Sequence, residues 1–219
     1  MSLFASAARK LALASALLAT PAFAHPHVFI DAGLEVIIDD RGRLTHVRVS
    51  WRYDDFYSLL IAEDRKIDSD GDGNTEPGEE VFLAGFDTYW AEGYNGDLVV
   101  RLDGRELKLS GPLEPTAQMR DGRVTSSHLR RVTGKPRLRG DALSLKVFDQ
   151  SYYTAFTLNL PVSVTNPNCA LSRVEPDIEG ELASMQAMLL SMDIDADLEE
   201  LEIPMMGEQF ATDVLVSCP

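Results

Sequence analysis

This chain has little cysteine, few basic residues and no long apolar run beyond its first 24 residues. Its 219 residues include two cysteines, and 20 Lys and Arg stand against 35 Asp and Glu, giving a formal net charge of -15. So acidic a protein repels nucleic acid and suits cationic ligands, although solubility alone also accounts for such a charge. We expect no nucleic-acid partner. No stretch after residue 24 approaches the roughly 20 apolar residues of a membrane span, and we expect no stable membrane insertion.

The N-terminus has the three-part layout of a secretory signal peptide. Arg9 and Lys10 precede the apolar run "LALASALLA", and "AFA" precedes His25. Small residues at this position are typical of a cleavage site. We therefore predict a signal peptide over residues 1–24, cleavage after Ala24, and an exported protein of residues 25–219. That length suits one compact domain.

The two cysteines are Cys169 and Cys218. In an oxidising compartment they are expected to form a disulfide. Closing a loop of this length stabilises a fold by about 4 kcal/mol in the chain-entropy model. The alternative is that two thiolates and a histidine hold a metal ion.

Alternating polarity dominates the chain and predicts a mainly β protein. Residues 28–53 read as a hairpin that turns at "DDRGR". The strands predicted after Tyr94 are "DLVVRLDGRELKL", "GRVTSSHLRRVTG", "DALSLKVFD", "YYTAFTLNLPVSV" and a last one at "TDVLVSC". Apolar residues recur at helical spacing over 54–66, 77–92 and about 178–192. We predict an α+β, mainly β fold with antiparallel sheets. A helix-loop-helix insertion at 54–93 and a C-terminal helix complete it.

The loop between the first two predicted helices has the spacing of a calcium-binding EF-hand. Its twelve residues offer oxygen ligands at positions 1, 3, 5, 7, 9 and 12, which are Asp68, Asp70, Asp72, Asn74, Glu76 and Glu79. Gly73 at position 6 permits the sharp turn. Pro77 falls in the first turn of the following helix, where it is tolerated. The pattern predicts a Ca²⁺ site.

Position 8 of this loop departs from the usual pattern. It usually carries an apolar β-branched residue that pairs with a second loop, but here it is Thr75, and no partner loop is found in the sequence. The alternative interpretation is an Asp-Gly-rich surface turn. A single loop in an exported protein favours a weak structural calcium site over a sensor.

Cleavage after Ala24 would leave a terminus that begins His-Pro-His. His25 then offers both its α-amine and its ring, and His27 adds another nitrogen. Pro26 has no amide proton, which blocks the terminal copper motif that uses the second amide. The remaining chelate suits Cu, Ni, Co or Zn. Further ligands are offered by His128, His46, Asp31 or Asp149. The alternative is an ordinary exposed terminus.

Several motifs together resemble a family of proteobacterial periplasmic proteins of unknown function. These are "AHPHVFID", "VRVSWRYDDFYS", "DSDGDGNTEPGEE", "VFDQSYYTAF", "NPNCALSRVEPD" and "GEQFATDVLVSCP". The family is labelled the periplasmic component of an uncharacterised ABC-type transport system. The resemblance covers most of the chain after residue 24.

This resemblance implies a periplasmic protein that handles a divalent transition metal, because family members are often encoded near nickel/cobalt-type membrane transporters. His25 and His27 match the family's terminal histidines, and residues 68–79 match its Asp-Gly segment. Its Asp and paired-aromatic motif falls on Asp149, Tyr152 and Tyr153, and the resemblance implies no role for it. A turn followed by packing tyrosines is the simplest account of that motif.

We therefore predict a periplasmic metal-binding accessory protein that partners an inner-membrane metal transporter and is not an enzyme. The cofactors expected are Ca²⁺ and a divalent transition metal. One alternative is a structural or interaction module that binds calcium alone. Another is a copper-dependent redox enzyme with an N-terminal histidine site, although no Ser-His-Asp or Cys-His set stands out in the sequence.

Overall fold

A computed structural model describes residues 27–140, 142–191 and 207–219. The predicted signal peptide and His25 lie outside the described residues. Within these ranges there are eleven strands: β1 (Val28–Ile38), β2 (Leu44–Tyr53), β3 (Leu98–Leu102), β4 (Arg105–Glu106), β5 (Leu113–Arg120), β6 (Arg123–Arg131), β7 (Leu143–Val147), β8 (Thr154–Thr157), β9 (Val162–Val164), β10 (Ala170–Val174) and β11 (Asp213–Ser217). The α-helices are α1 (Asp55–Arg65), α2 (Pro77–Leu83) and α3 (Ile178–Ser191). The predicted mainly β, α+β class is confirmed.

The predicted hairpin forms from β1 and β2. The strands pair in antiparallel register from Ile30 opposite Tyr53 to Ile38 opposite Leu44. Side chains of alternate residues along β2 are buried because successive residues point to opposite faces of a sheet. A 3.0 Å hydrogen bond from the Asp39 amide to the Arg43 carbonyl closes the turn.

The strands form two sheets. The first has the order β5-β6-β2-β1-β8, with β9 also paired to β1, and the second has the order β10-β11-β7-β3-β4. β8 and β9 run parallel to β1, one along each half of it. The first sheet is therefore mixed, because these late strands return to the hairpin in the direction of β1. The prediction had named antiparallel sheets.

Buried residues of both sheets belong to one apolar cluster, which includes Leu34, Val49, Leu145 and Val216. The predicted disulfide joins Cys169 to Cys218 at the ends of the neighbouring strands β10 and β11. It links the C-terminal strand to the rest of the second sheet. No helix within the described ranges is long and apolar enough to cross a membrane.

The helical insertion lies between β2 and β3. Asp54 caps α1, since its Oδ1 accepts a 2.7 Å hydrogen bond from the Tyr57 amide. The second helix ends at Leu83, so the predicted extension to residue 92 is wrong. Ala84 leaves helical geometry with a ψ of 125°. Phe86 and Trp90 pack against the core from the loop that follows.

Candidate functional site

Helices α1 and α2 hold the predicted calcium loop at its two ends. Lys66 terminates α1 in a left-handed conformation with its amide bonded to the Ala62 carbonyl. Pro77 begins α2, where its missing N–H leaves no helical hydrogen bond unmade. Glu76 and Glu79 form a capping box at the same helix start. The local sequence thus determines where the loop begins and ends.

Three carboxylates of the loop converge. One side-chain oxygen each from Asp68, Asp70 and Asp72 lies within 4.8 Å of the others. Backbone amides hold them in this arrangement, because Asp68 accepts a 3.0 Å bond from Gly73 and Asp72 accepts a 2.8 Å bond from Asn74. Gly73 has a φ of +80°, which an L side chain rarely adopts.

The carboxylate of Glu79 closes the loop from the helix side. It accepts hydrogen bonds from the amides of Ser69 at 3.4 Å and Glu76 at 3.2 Å. A hydrogen bond with the Glu76 carboxyl lowers the pKa of Glu79 and raises the pKa of Glu76. Residue 12 of the loop therefore lies beside its second residue, while the three converging carboxylates are those of Asp68, Asp70 and Asp72. The EF-hand pattern assigns Glu79 a bidentate bond to the ion.

A β-hairpin from elsewhere in the chain occupies the position of a partner loop. The Thr75 amide donates to the Met119 carbonyl at 3.1 Å, and the Met119 amide donates to Thr75 Oγ1 at 2.9 Å. The Gly122 amide donates to the Gly73 carbonyl at 2.8 Å. Arg120 Nη1 donates to the Thr75 carbonyl at 2.8 Å. These residues lie over 40 positions away from the loop along the sequence, so the spacing within the loop gives no sign of them.

This arrangement suits a hard cation. Ca²⁺ takes six to eight oxygen ligands at 2.3–2.6 Å, commonly carboxylates, a backbone carbonyl and water. Asp68, Asp70 and Asp72 supply three of them together, and Glu79 lies near Ser69 within the same loop. The predicted ligand positions thus fit calcium, with Asn74 and Glu76 at the remaining positions of the pattern.

The two described histidines of the predicted transition-metal site have different surroundings. His27 is exposed, its amide donates to the Tyr153 carbonyl at 2.9 Å, and the two rings lie 4.9 Å apart. His128 is 1% exposed on β6 and meets Trp51 and Trp90 edge-on. Burial lowers the pKa of His128 to about 4. His27 is thus an exposed side chain beside Tyr153, whereas His128 is enclosed between two tryptophans.

Other candidate ligands already serve the protein's own structure. Asp31 forms ion pairs with Arg52 at 2.8 Å and Arg123 at 3.1 Å. Asp149 accepts hydrogen bonds from the Ser151 and Thr154 amides at 2.9 Å and 3.0 Å. Asp31 therefore joins strands, and Asp149 organises a turn. His46 is partly exposed on β2.

The paired tyrosines after Asp149 have separate contacts. Tyr152 has a φ of 58°, and its ring lies 4.8 Å from that of Phe210. Tyr153 is 49% exposed and contacts His27. The motif therefore forms a turn that connects the N-terminal strand and the short 3₁₀ helix Gly207–Phe210 to the same loop.

Comparison with known proteins places the chain in a family. A family model described as a protein of unknown function, DUF1007, matches residues 10–218. Because the match spans nearly the whole chain, the protein belongs to this family. A search among curated proteins finds no match. The resemblance to a family of unknown function is thus confirmed, and the transport label stays a prediction.

Proposed function

We propose that residues 68–79 bind Ca²⁺ and that the protein is a calcium-stabilised, metal-binding accessory of a transition-metal transport system in the periplasm. The observation that carries the calcium part is the convergence of Asp68, Asp70 and Asp72 within 4.8 Å. Isolated carboxylates repel one another at that distance, and a divalent cation among them removes the repulsion. Hydrogen bonds from Met119 and Gly122 join this loop to the hairpin of β5 and β6.

Calorimetric titration of Ca²⁺ tests this part. Wild-type protein is expected to bind one ion, and Glu79→Gln to weaken binding by at least about tenfold, because the bidentate ligand is lost. Glu63→Gln is the matched control, since it removes the same charge from an exposed site on α1. Equal affinity in all three proteins would exclude the loop as the site.

The transition-metal part rests on the terminal histidines and the family resemblance. The hydrogen bond between the His27 amide and the Tyr153 carbonyl anchors the chain two residues after His25. With the leader removed, the His25 amine and ring and the His27 ring form a nitrogen-rich chelate at an anchored terminus. Such a chelate suits capture of a divalent ion and its exchange with an inner-membrane transporter.

Titration of Zn²⁺, Ni²⁺, Co²⁺ and Cu²⁺ into calcium-saturated mature protein tests this chelate. Mass spectrometry first confirms that the exported protein begins at His25. A sample with one extra residue before His25 is the control, because it removes the α-amine from the chelate and leaves both rings. Binding that is lost in the control supports the terminal site. Equal binding in both samples, or none in either, contradicts it and favours a module that binds calcium alone.

We propose a binding role rather than catalysis. A copper site at an N-terminal histidine can also activate oxygen, which is the competing enzymatic function. Incubating the copper-loaded protein with ascorbate and oxygen distinguishes the two. Ascorbate oxidation no faster than that of the sample with the extra N-terminal residue supports the binding role, and a large excess over that sample contradicts it.

A further inference from the structure

A second candidate site lies away from the calcium loop. A cavity of about 240 Å³ is lined by seven aromatic side chains, which include Trp51, Tyr53, Trp90 and Tyr94. Two carboxylates, Asp87 and Asp97, also line it. We call it the aromatic cavity. Its lining comes from β1, β2, β8, the start of α1 and the loop between α2 and β3.

The carboxylates of the aromatic cavity have no basic partner among the described residues. Asp87 Oδ2 accepts hydrogen bonds from the hydroxyls of Tyr53 and Ser126, and Asp97 Oδ2 accepts one from Tyr94. The Oδ1 atom of each accepts no hydrogen bond within the described ranges. Burial, with the charge of Asp149, raises the pKa of Asp97 to about 6. Within the described residues neither carboxylate forms a salt bridge, and the nearest described guanidinium at the wall, that of Arg130, lies against Trp90.

Buried donors and acceptors beside the cavity also lack partners. Trp51 is 4% exposed, and its Nε1 makes no hydrogen bond within the described part of the chain. The same is true of Nε2 of His128, whose ring contacts both tryptophans of the cavity wall. Both nitrogens are fully enclosed, so a ligand in the aromatic cavity would contact its rings and carboxylates rather than these atoms.

The cavity wall is held in place before any ligand binds. Trp90 Nε1 donates to the Asp87 carbonyl at 2.8 Å, and the Arg130 guanidinium lies 4.6 Å from the Trp90 ring centre. Arg130 in turn donates to the Asn95 carbonyl at 2.8 Å. A Cβ at Gly96 would clash with the Trp90 ring, and the φ of +70° at this position is one that L side chains rarely adopt, so the wall favours glycine there. Such preorganisation reduces the entropy lost on binding.

We propose that the aromatic cavity binds a small organic cation with an ammonium or methylated ammonium group. Aromatic faces attract such cations because the ring quadrupole places negative charge on each face. The carboxylates provide the counter-charge, and the overall acidity of the chain favours encounter with a cation. The volume lies below the roughly 300 Å³ at which drug-sized pockets begin, so the ligand is small. This site is separate from the calcium loop, and His27 lies at its edge, because the His27 ring is 4.9 Å from that of Tyr153, which lines the cavity.

Tryptophan fluorescence provides a direct measurement. The chain has two tryptophans, Trp51 and Trp90, and both line the aromatic cavity. Choline is titrated into the calcium-saturated mature protein, with 3,3-dimethyl-1-butanol as the uncharged molecule of the same shape. A saturable fluorescence change with choline, and none with the alcohol, is expected.

Variants connect that signal to the cavity. Asp97→Asn is expected to weaken choline binding by about tenfold or more, whereas Asp40→Asn, the same charge change in an exposed turn, leaves it unaltered. Tyr57→Ala removes a partly exposed aromatic ring of the wall and is expected to weaken binding about 3- to 10-fold. Circular dichroism and thermal melts confirm that each variant is folded. If Asp97→Asn fails to fold, Tyr57→Ala still decides the result.

Three outcomes would overturn the proposal. One is the absence of a saturable change with choline, tetramethylammonium and methylammonium up to ~10 mM, which corresponds to negligible affinity. Another is equal binding of choline and the alcohol, since charge would then contribute nothing. The third is displacement of choline by Zn²⁺ at lower concentration together with loss of Zn²⁺ binding in Asp97→Asn, which would assign the cavity to a metal ion.

Discussion

Thr75 and Met119 exchange two hydrogen bonds across 44 positions of sequence. The Thr75 amide donates to the Met119 carbonyl at 3.1 Å, and the Met119 amide donates to Thr75 Oγ1 at 2.9 Å. The hydroxyl thus replaces one of the backbone contacts that join two paired EF-hand loops. The calcium loop and the edge of the first sheet consequently form one hydrogen-bonded unit.

Calcium should therefore slow hydrogen exchange in the hairpin as well as in the loop. The amides of Thr75 and Gly122 are bonded across the junction, so ordering the loop lowers the rate at which those bonds open. NMR-detected exchange with and without saturating Ca²⁺ measures this. Leu215, in the second sheet, is the control and is expected to be unaffected. Protection confined to residues 68–79 would contradict the coupling.

Thr75→Val is expected to destabilise the protein by about 1–3 kcal/mol. Valine keeps the shape but removes Oγ1, which leaves the buried Met119 amide without its acceptor. Urea unfolding in calcium measures the loss. Thr157→Val, on the exposed face of β8, is the matched control and should change the free energy of unfolding by less than about 0.5 kcal/mol.

Asp97→Asn is expected to stabilise the protein at pH 7. Burial raises the pKa of Asp97 to about 6, so the folded state holds the proton more tightly than the unfolded state. The contribution of Asp97 to the free energy of unfolding is therefore fully present below pH 3.8 and is lost as pH rises through about 6. The variant does not titrate at this position. Its free energy of unfolding should therefore exceed that of the wild type by about 1–3 kcal/mol at pH 7 and equal it near pH 4. Denaturant unfolding across this range tests it, and an equal gain at both pH values would contradict it.

His128 should lower the free energy of unfolding as pH falls, which is the opposite pH dependence to that of Asp97. Burial lowers its pKa to about 4, so between pH 6.5 and 4 the unfolded chain binds a proton that the folded protein does not. The contribution of His128 to the free energy of unfolding is fully present above pH 6.5 and falls by roughly 3 kcal/mol towards pH 4. His128→Phe keeps the ring contacts and removes the titration. As pH falls from 6.5 to 4, the variant should therefore lose less unfolding free energy than the wild type. Denaturant unfolding at both pH values measures this.

Removing the disulfide should weaken the fold without altering the calcium site. The bond between Cys169 and Cys218 spans 49 positions, and its loss costs about 4 kcal/mol in the chain-entropy model. The double variant Cys169→Ser, Cys218→Ser is expected to unfold at lower urea concentration, with Ca²⁺ affinity unchanged in the folded protein. A loss of calcium affinity under native conditions would contradict this independence.

Much of the fold could be predicted because its signals are local. Alternation along β1 and β2 specifies the hairpin, and two cysteines in a chain predicted to be exported indicated the disulfide that joins Cys169 to Cys218. Two strands were not predicted, β5 and β10, because their side chains are mostly exposed and carry little apolar alternation. Pairing with β6 and β11 makes them strands, and that pairing is not encoded within either segment.

The candidate sites likewise combine features that the sequence determines with features that only the tertiary structure decides. The sequence alone determined the ligand spacing from Asp68 to Glu79, because residues within one loop can converge through local turns. Only the tertiary structure decided that Met119 would pair with Thr75, that His128 would be buried between two tryptophans, and that residues from β1, β2, β8 and the 84–97 loop would enclose the aromatic cavity. Each of these depends on contacts between distant segments, whose formation requires the packing of the whole chain.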